Sequence, residues 1–261
     1  MARHSTGQIS DAVLEVYRIA SATDTLDPAD LLTERGLPMP PQISPTPETL
    51  IRALVEAADD YLATLPGPGV AEVRAGLAAA RSGPVTPRTA RPNQVLTDHL
   101  GSALTVLTAT HPALATAIAN ATPYLNWRAF DSYPIDDIGP AFAAGQVCAT
   151  IVGEDAPITA QDYDLGLFLI APHILYRDHH HAAPELYAPL TGPHGWRFGP
   201  KTPLLIKAAH DPVWNDPHRP HLTKVGPVPF LCLYGWTRDV NAGAQVIPAD
   251  DWPMLEAMRI A

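Results

Sequence analysis

The sequence is poor in charged residues and in cysteine, and each shortage argues against a class of function. Only 17% of the 261 residues are charged, and acidic residues outnumber basic ones by 27 to 17, so the formal net charge is −10. A negative field of this size repels nucleic-acid phosphates and anionic membrane surfaces, and neither is expected as a partner. The two cysteines, Cys148 and Cys232, fit neither a metal-binding spacing nor a disulfide framework.

Long hydrophobic runs are also missing. No stretch of about 18 apolar residues occurs that could cross a membrane as a helix. The N-terminal segment, from Met1 to Asp11, is polar and lacks the apolar core of a secretory signal. Hydrophobic residues still make up 46% of the chain, which is enough for a buried core. We therefore expect a folded, soluble, cytoplasmic protein.

The first half of the chain predicts helices separated by proline-rich connectors. Ser10 and Thr46 are good N-caps, because each precedes apolar residues at helical spacing and Thr46 is followed by Pro47. Five prolines between Pro38 and Pro47 predict an extended connector over residues 37–44. Further helices are predicted over residues 70–81, 95–108 and 113–121, and a last one from Asp136 or Asp137 to about Val152.

After Asp155 the pattern changes to short apolar runs bounded by turn residues, which is typical of strands. Leu165, Leu167 and Leu169 alternate with other apolar residues, as in a strand buried on both faces. The other runs cover residues 185–190, 195–198, 203–208, 213–214, 222–225 and 230–236, and residues 251–260 could form a closing helix. We predict an α+β fold in which a helical region, residues 1–155, packs on an antiparallel β-barrel, residues 156–261.

Histidine is concentrated in one part of the chain. Eight of the eleven histidines lie between His173 and His221, where an even distribution would place about two. On a strand, His179 and His181 share a face with Glu185, whereas His180 points to the opposite face. Two imidazoles and one carboxylate suit Zn, Fe, Mn, Co or Ni, so the segment predicts a divalent transition-metal site; a histidine-rich surface loop is the alternative.

Three other histidines in this part of the chain are interpreted individually. His194 falls in a Gly-Pro-His-Gly turn and is expected to be exposed, and His210 is expected in a loop. His218 competes with His221 for a place as a fourth metal ligand.

The spacing around the histidines resembles the metal motif of cupin-type dimethylsulfoniopropionate (DMSP) lyases. The first half of the motif is Tyr-x2-His-x-His-x3-Glu-x-Tyr, which here runs from Tyr176 to Tyr187. The second half is a Pro-His pair followed by a Pro-x-Leu-x-Leu-Tyr-x-Trp strand, here Pro220-His221 and residues 229–236. Residues 125–128 and 165–168 match as well, so the resemblance covers about residues 124–240. It implies a cupin fold, a double-stranded β-helix barrel.

The resemblance also implies the site residues. The metal ligands would be His179, His181, Glu185 and His221, and the family pattern favours His221 over His218 because proline, here Pro229, stands eight residues after that ligand. A tyrosine would handle the proton. Tyr187 shares the parity of the ligands and is the preferred base, whereas Tyr176 has the opposite parity and needs a bend in the chain before His179.

The implied reaction is a β-elimination that converts DMSP into dimethyl sulfide and acrylate. A metal bound to the substrate carboxylate stabilises the developing charge, and a phenolate base is favoured beside a divalent cation. Aromatic faces bind a sulfonium cation, and the candidates are Tyr234, Trp236, Trp214, Trp196 and Trp127. The alternatives are a cupin dioxygenase or isomerase and a non-catalytic cupin that senses a small ligand. A homodimer is an assembly that this fold class allows.

Overall fold

The computed structural model describes residues 4, 7–23, 25–40, 44–131 and 133–261. The chain divides into two compact units, Met1–Pro45 and Thr46–Ala261. Of the connector expected over residues 37–44, residues 41–43 lie outside the described residues, and the others have no regular secondary structure. None of the described helices is long and apolar enough to cross a membrane.

The described residues of the first unit include two short helices. Helix α1, Asp11–Ser21, begins where the sequence predicts, and the Ser10 hydroxyl accepts a hydrogen bond from a first-turn amide. Helix α2, Pro28–Glu34, has Asp27 as its N-cap and proline in its first turn, a start signal that the sequence interpretation missed. Apolar side chains of α1 and α2, including Val13 and Leu32, form a small core of their own.

The second unit starts with a layer of helices. As expected, Thr46 caps the first of them, its hydroxyl accepting from the Thr49 amide. The helices are α3 Pro47–Ala63, α4 Val70–Ala80, α5 Gln94–Thr108, α6 Pro112–Ala121, α7 Ile135–Ile138, α8 Pro140–Ala144 and, near the end of the chain, α9 Trp252–Ala257. A 3₁₀ turn, Thr122–Tyr124, follows α6.

In the part of the chain that the structure describes, two sheets follow α8 and form a cupin-type barrel. Their strands are β1 Gln146–Gly153, β2 Ile158–Thr159, β3 Asp164–Ile170, β4 Leu175–His180, β5 Glu185–Pro189, β6 His194–Arg197, β7 Leu205–Lys207, β8 Val213–Asn215, β9 His221–Lys224, β10 Phe230–Trp236 and β11 Gln245–Val246. One sheet has the order β2-β1-β3-β10-β5-β8 and the other has the order β11-β4-β9-β6-β7. The predicted α+β class, with helices packed on a double-stranded β-helix, is confirmed.

Alternating side chains explain how the larger sheet serves two cores. Leu165, Leu167 and Leu169 of β3 face the helices and pack in one apolar cluster with α3, α4, α5 and α6. Phe168 and Ile170 of the same strand face the barrel interior and pack with side chains from both sheets. Because strand side chains alternate, one strand covers the helical layer and also lines the barrel.

The helix expected from Asp136 or Asp137 to Val152 is wrong. The last helix before the barrel ends at Ala144, and β1 begins at Gln146. Glycines interrupt the helical segment at Gly139, which has a φ of 93°, and at Gly145. β1 also supplies apolar residues at every second position toward the helices, which is a strand pattern. The sheet therefore starts within the range, residues 1–155, that the sequence assigns to the helical region.

Candidate metal centre

Three histidines from two neighbouring strands converge inside the barrel. β4 pairs with β9 in antiparallel orientation, and His179 lies directly opposite His221. His181 follows β4 at once, and the ligand atoms of all three rings lie within 4.8 Å of one another. All three side chains are buried. Strand pairing therefore brings His179 to His221, and His181 joins them from the residue directly after β4.

The hydrogen bonds of the three rings fix which nitrogen faces the centre. In each ring Nδ1 donates to a backbone carbonyl oxygen two residues away, at 2.7–2.9 Å. A carbonyl oxygen can only accept, so Nδ1 of each ring carries a proton and Nε2 is the nitrogen that faces the centre. The Nε2 atoms of His179 and His221 are buried and have no hydrogen-bond partner among the described residues. Converging, unpaired imidazole lone pairs fit a divalent metal ion.

Glu185 completes the cluster. Its Oε2 lies 3.1 Å from His181 Nε2 and 3.3 Å from His221 Nε2. The indole of Trp236 donates to Oε1 at 2.7 Å, and the amide of Asn215 donates to Oε2 at 3.2 Å. Burial disfavours the carboxylate, but the two imidazoles outweigh burial and hold the pKa of Glu185 well below its usual range. The group is therefore an anion beside three imidazoles.

The sequence interpretation did not identify Asn215. In the sheet, Glu185 lies opposite Trp236 of β10 on one side and opposite Asn215 of β8 on the other. Directly opposite residues share a face, so both side chains reach the carboxylate. The contact depends on the pairing register of β8, a three-residue strand, and the sequence alone does not show that register.

Two opposing influences act on the histidine rings. Burial, with His221 and His181 close by, lowers the pKa of His179 well below its usual value, so this ring is neutral. Burial also disfavours the charged form of His181, but the Glu185 carboxylate outweighs it and raises the pKa of His181.

The remaining histidines lie outside the cluster. The ring of His218 lies 5.6 Å from that of His180, and neither belongs to the group of three converging rings. His194 is not exposed as expected: it is 1% accessible in β6, where Nδ1 accepts from the Gly226 amide and Nε2 contacts Thr191 Oγ1. The turn signal was misleading because the chain pairs as a strand directly after Pro193.

Both candidate tyrosines reach the same cavity. Tyr187 lies on β5, two residues after Glu185, and is 3% exposed. Tyr176 stacks on His179 with ring centroids 3.9 Å apart, and its hydroxyl is 3.0 Å from the hydroxyl of Tyr133. The pairing register of β4 shifts between Tyr176 and His179, which supplies the bend that Tyr176 needs. Parity alone therefore does not separate the two tyrosines.

The environment of both tyrosines opposes ionisation. Burial and then the Glu185 carboxylate raise the pKa of Tyr187 well above its usual value. Burial and the neighbouring Tyr133 do the same for Tyr176. A phenolate in this site thus requires a compensating cation close by.

A cavity of about 250 Å³ opens onto this cluster. Buried residues line its inner end, half-buried aromatic residues line its middle, and exposed polar residues surround its mouth. The inner residues are Phe168, Tyr176, Glu185 and Tyr187; the middle has Tyr234, Trp236 and Asp164; the mouth has Arg128, Glu154, Asp155 and Asn241. The sequence interpretation did not identify Asp164 as a site residue, and Arg128 was noted only as part of a matching segment.

The structure brings two of the predicted cation-binding aromatics, Tyr234 and Trp236, to the cavity, but not the others. Trp214 alternates with inward-facing neighbours on β8, so its ring packs with the helical core and its indole donates to Asp216 at 2.9 Å. Trp196 is completely buried beneath the cavity, 5.3 Å from Tyr187 between ring centroids. Trp127 belongs to the helical core as well. Aromatic identity alone does not show which face of a strand a side chain occupies.

Comparison with known proteins gives one family and several similar structures. Residues 71–232 match the family model described as dimethylsulfoniopropionate lyase. A solved structure described as DMSP lyases RdDddP and RnDddQII is 20% identical, with a TM-score of 0.58, over 78% of this chain and 100% of that chain. DMSP lyase DddQ from Ruegeria pomeroyi DSS-3 is 19% identical, with a TM-score of 0.55, over 76% and 95%. No curated protein sequence matches significantly. At these identities the structures show a shared fold.

Proposed function

The chain belongs to the DMSP lyase family and is a carbon–sulfur lyase, and from that premise we propose that it cleaves DMSP to dimethyl sulfide and acrylate by a metal-dependent β-elimination. The observation that carries the proposal is the convergence of three imidazole rings beside the Glu185 carboxylate, which lines a cavity together with two tyrosines.

The proposed metal ligands are His179, His181, Glu185 and His221. When bound there, a divalent transition metal supplies a Lewis acid for the substrate carboxylate and a positive charge that favours nearby anions. The backbone carbonyls that accept from each Nδ1, and the Trp236 and Asn215 donors to Glu185, orient the ligands before any metal binds.

The proton step requires a base beside the carbon next to the substrate carboxylate. We assign this role to Tyr187, with Tyr176 as the alternative. The base takes the proton, the electron pair of the broken C–H bond forms the carbon–carbon double bond, and the C–S bond breaks with its electrons leaving on sulfur as neutral dimethyl sulfide. Because burial raises the pKa of both hydroxyls, the base would be active only when the cation lowers that pKa.

The sulfonium end would lie toward the middle of the cavity. Tyr234 and Trp236 both line the cavity there. The Tyr234 hydroxyl is held 2.9 Å from Thr150 Oγ1, and the Trp236 indole is held by Glu185. Fixed aromatic faces attract an onium cation through the ring quadrupole, which orients the substrate with its carboxylate toward the histidines.

Headspace detection of dimethyl sulfide from purified protein and DMSP tests the proposal. We expect Tyr187→Phe to lower the rate by about 10²–10⁴-fold with metal content unchanged, because only the phenolic oxygen is removed. Tyr176→Phe is the matched variant and should have the smaller effect. A Tyr187→Phe protein that works at the wild-type rate, beside an inactive Tyr176→Phe protein, would move the base role to Tyr176. Two active variants would overturn the tyrosine mechanism.

A further inference from the structure

Asp164 lies beside the proposed site in a row of cross-strand neighbours. It is directly opposite Trp236, which is itself directly opposite Glu185. Residues opposite one another share a face of the sheet, so the three side chains stand side by side on the cavity side. Neighbouring strands are about 4.8 Å apart, which puts the backbones of Asp164 and Glu185 roughly 10 Å apart with the indole between them.

The fold makes room for the Asp164 carboxylate in that position. A Cβ atom at residue 153 would lie 2.0 Å from Asp164 Oδ1, so Gly153 leaves the space that the carboxylate occupies. The carboxylate also lines the cavity wall together with Tyr234 and Trp236. It therefore lies on the cavity wall beside the two aromatic rings.

The Asp164 carboxylate is partly buried, and among the described residues it forms no salt bridge. Burial raises the pKa of Asp164 to about 7, Arg128 at the mouth opposes the rise, and Glu154 and Asp155 add to it. A partly desolvated carboxylate among other acids is stabilised in its ionised form by a positive charge brought close to it.

We propose that Asp164 selects the positively charged end of the substrate, acting with the ring faces of Tyr234 and Trp236. The substrate class is a short zwitterion with a carboxylate at one end and an onium group at the other. This assignment rests on the proposed function for the substrate class and for its orientation, with the carboxylate end toward the histidines. Because the Trp236 indole stands between the two carboxylates, the substrate would lie across the indole with its onium end toward Asp164.

Two ligands that differ only in charge test the proposal. 3-(Trimethylammonio)propionate carries a cationic trimethylammonium group at one end and a carboxylate at the other. 4,4-Dimethylpentanoate has the same shape and the same carboxylate, with a neutral carbon in place of the nitrogen. Calorimetric titration of the purified full chain at constant ionic strength should show tighter binding of the charged ligand. Asp164→Asn should weaken that binding on the order of tenfold and should not weaken binding of 4,4-dimethylpentanoate, which has no cationic end, since only a charge–charge attraction is lost.

Asp211→Asn is the matched control, because it removes the same charge from an exposed residue that pairs with Lys207 at 2.9 Å. It should leave both affinities unchanged. Gly153→Ala provides a second variant that keeps the charge but displaces the carboxylate, and it should also reduce the preference for the cation. An Asp164→Asn protein with the wild-type preference, or one that loses both ligands equally, overturns the proposal.

The outcome is separable from that of the proposed function. Charge preference that is lost in Asp164→Asn, in a protein that releases no dimethyl sulfide, would support this inference and contradict the lyase proposal. Dimethyl sulfide release with an unchanged KM in Asp164→Asn would support the lyase proposal and contradict this inference. If both proposals are right, Asp164→Asn raises KM for DMSP about tenfold and leaves kcat within about twofold.

Discussion

Trp236→Phe should weaken metal binding through Glu185 without removing any ligand. The indole donates a hydrogen bond to Glu185 Oε1 at 2.7 Å, and phenylalanine keeps an aromatic ring but has no donor. A hydrogen bond to a charged group contributes about 1.5–3 kcal/mol. At about 1.4 kcal/mol per tenfold change, the dissociation constant of the metal should rise roughly 10–100-fold. Loss of partners that orient metal ligands elsewhere has effects of this size.

Competition between the protein and a chromophoric chelator for Zn²⁺ measures this dissociation constant directly. Trp214→Phe is the matched control, because it removes an indole donor to a carboxylate, Asp216 at 2.9 Å, on the face of the sheet that points away from the cavity. It should leave the metal affinity unchanged. Equal affinities in wild-type and Trp236→Phe proteins would refute the reasoning, since Glu185 would then not depend on this donor or would not bind the metal.

Three further predictions follow from individual side chains. Burial lowers the pKa of His194 from 6.5 to about 4, so the folded state resists protonation that the unfolded chain accepts. The contribution of His194 to the free energy of unfolding is therefore complete above pH 6.5 and falls by about 3 kcal/mol as the pH drops to about 4. In urea unfolding measured at each pH, His194→Gln should reduce this loss of stability. Gly166→Ala should lower the free energy of unfolding by about 1–3 kcal/mol and disturb the cavity wall, because its Cβ would lie 2.6 Å from Ala149 O and from a Tyr234 ring atom. His221→Ala should abolish metal retention in elemental analysis, whereas His218→Ala should retain it; the opposite result would move the ligand role to His218.

Local signals in the sequence predicted most elements of the barrel and its helices. Thr46 before Pro47 marked the start of α3, and the apolar run at residues 230–236 corresponds to β10, Phe230–Trp236. Such features are readable because caps, prolines and alternation act within a few residues. β1 was missed because the acidic residues ahead of it are typical of a helix start. Its alternating apolar side chains pack against the helices, and the sequence alone does not show that packing.

Part of the candidate site could be predicted from the sequence for a similar reason. His179, His181 and Glu185 lie close together in the chain, so their spacing alone indicated a shared site. Asn215 and Asp164 could not be predicted as site residues from the sequence. They join the site through the pairing of β8 with β5 and of β3 with β10. Cross-strand register depends on the whole sheet, and no local pattern around either residue specifies it.

Metal titration of lyase activity under anaerobic conditions tests the central claim most directly. Protein stripped by a chelator is reconstituted with increasing Zn²⁺, and dimethyl sulfide released from DMSP is measured at each step. The account predicts that activity rises linearly to one metal ion per chain and then stays constant, without oxygen, because elimination requires no redox change. Full activity in the stripped protein would contradict the metal's role, and activity that appears only with oxygen and Fe²⁺ would contradict the elimination itself.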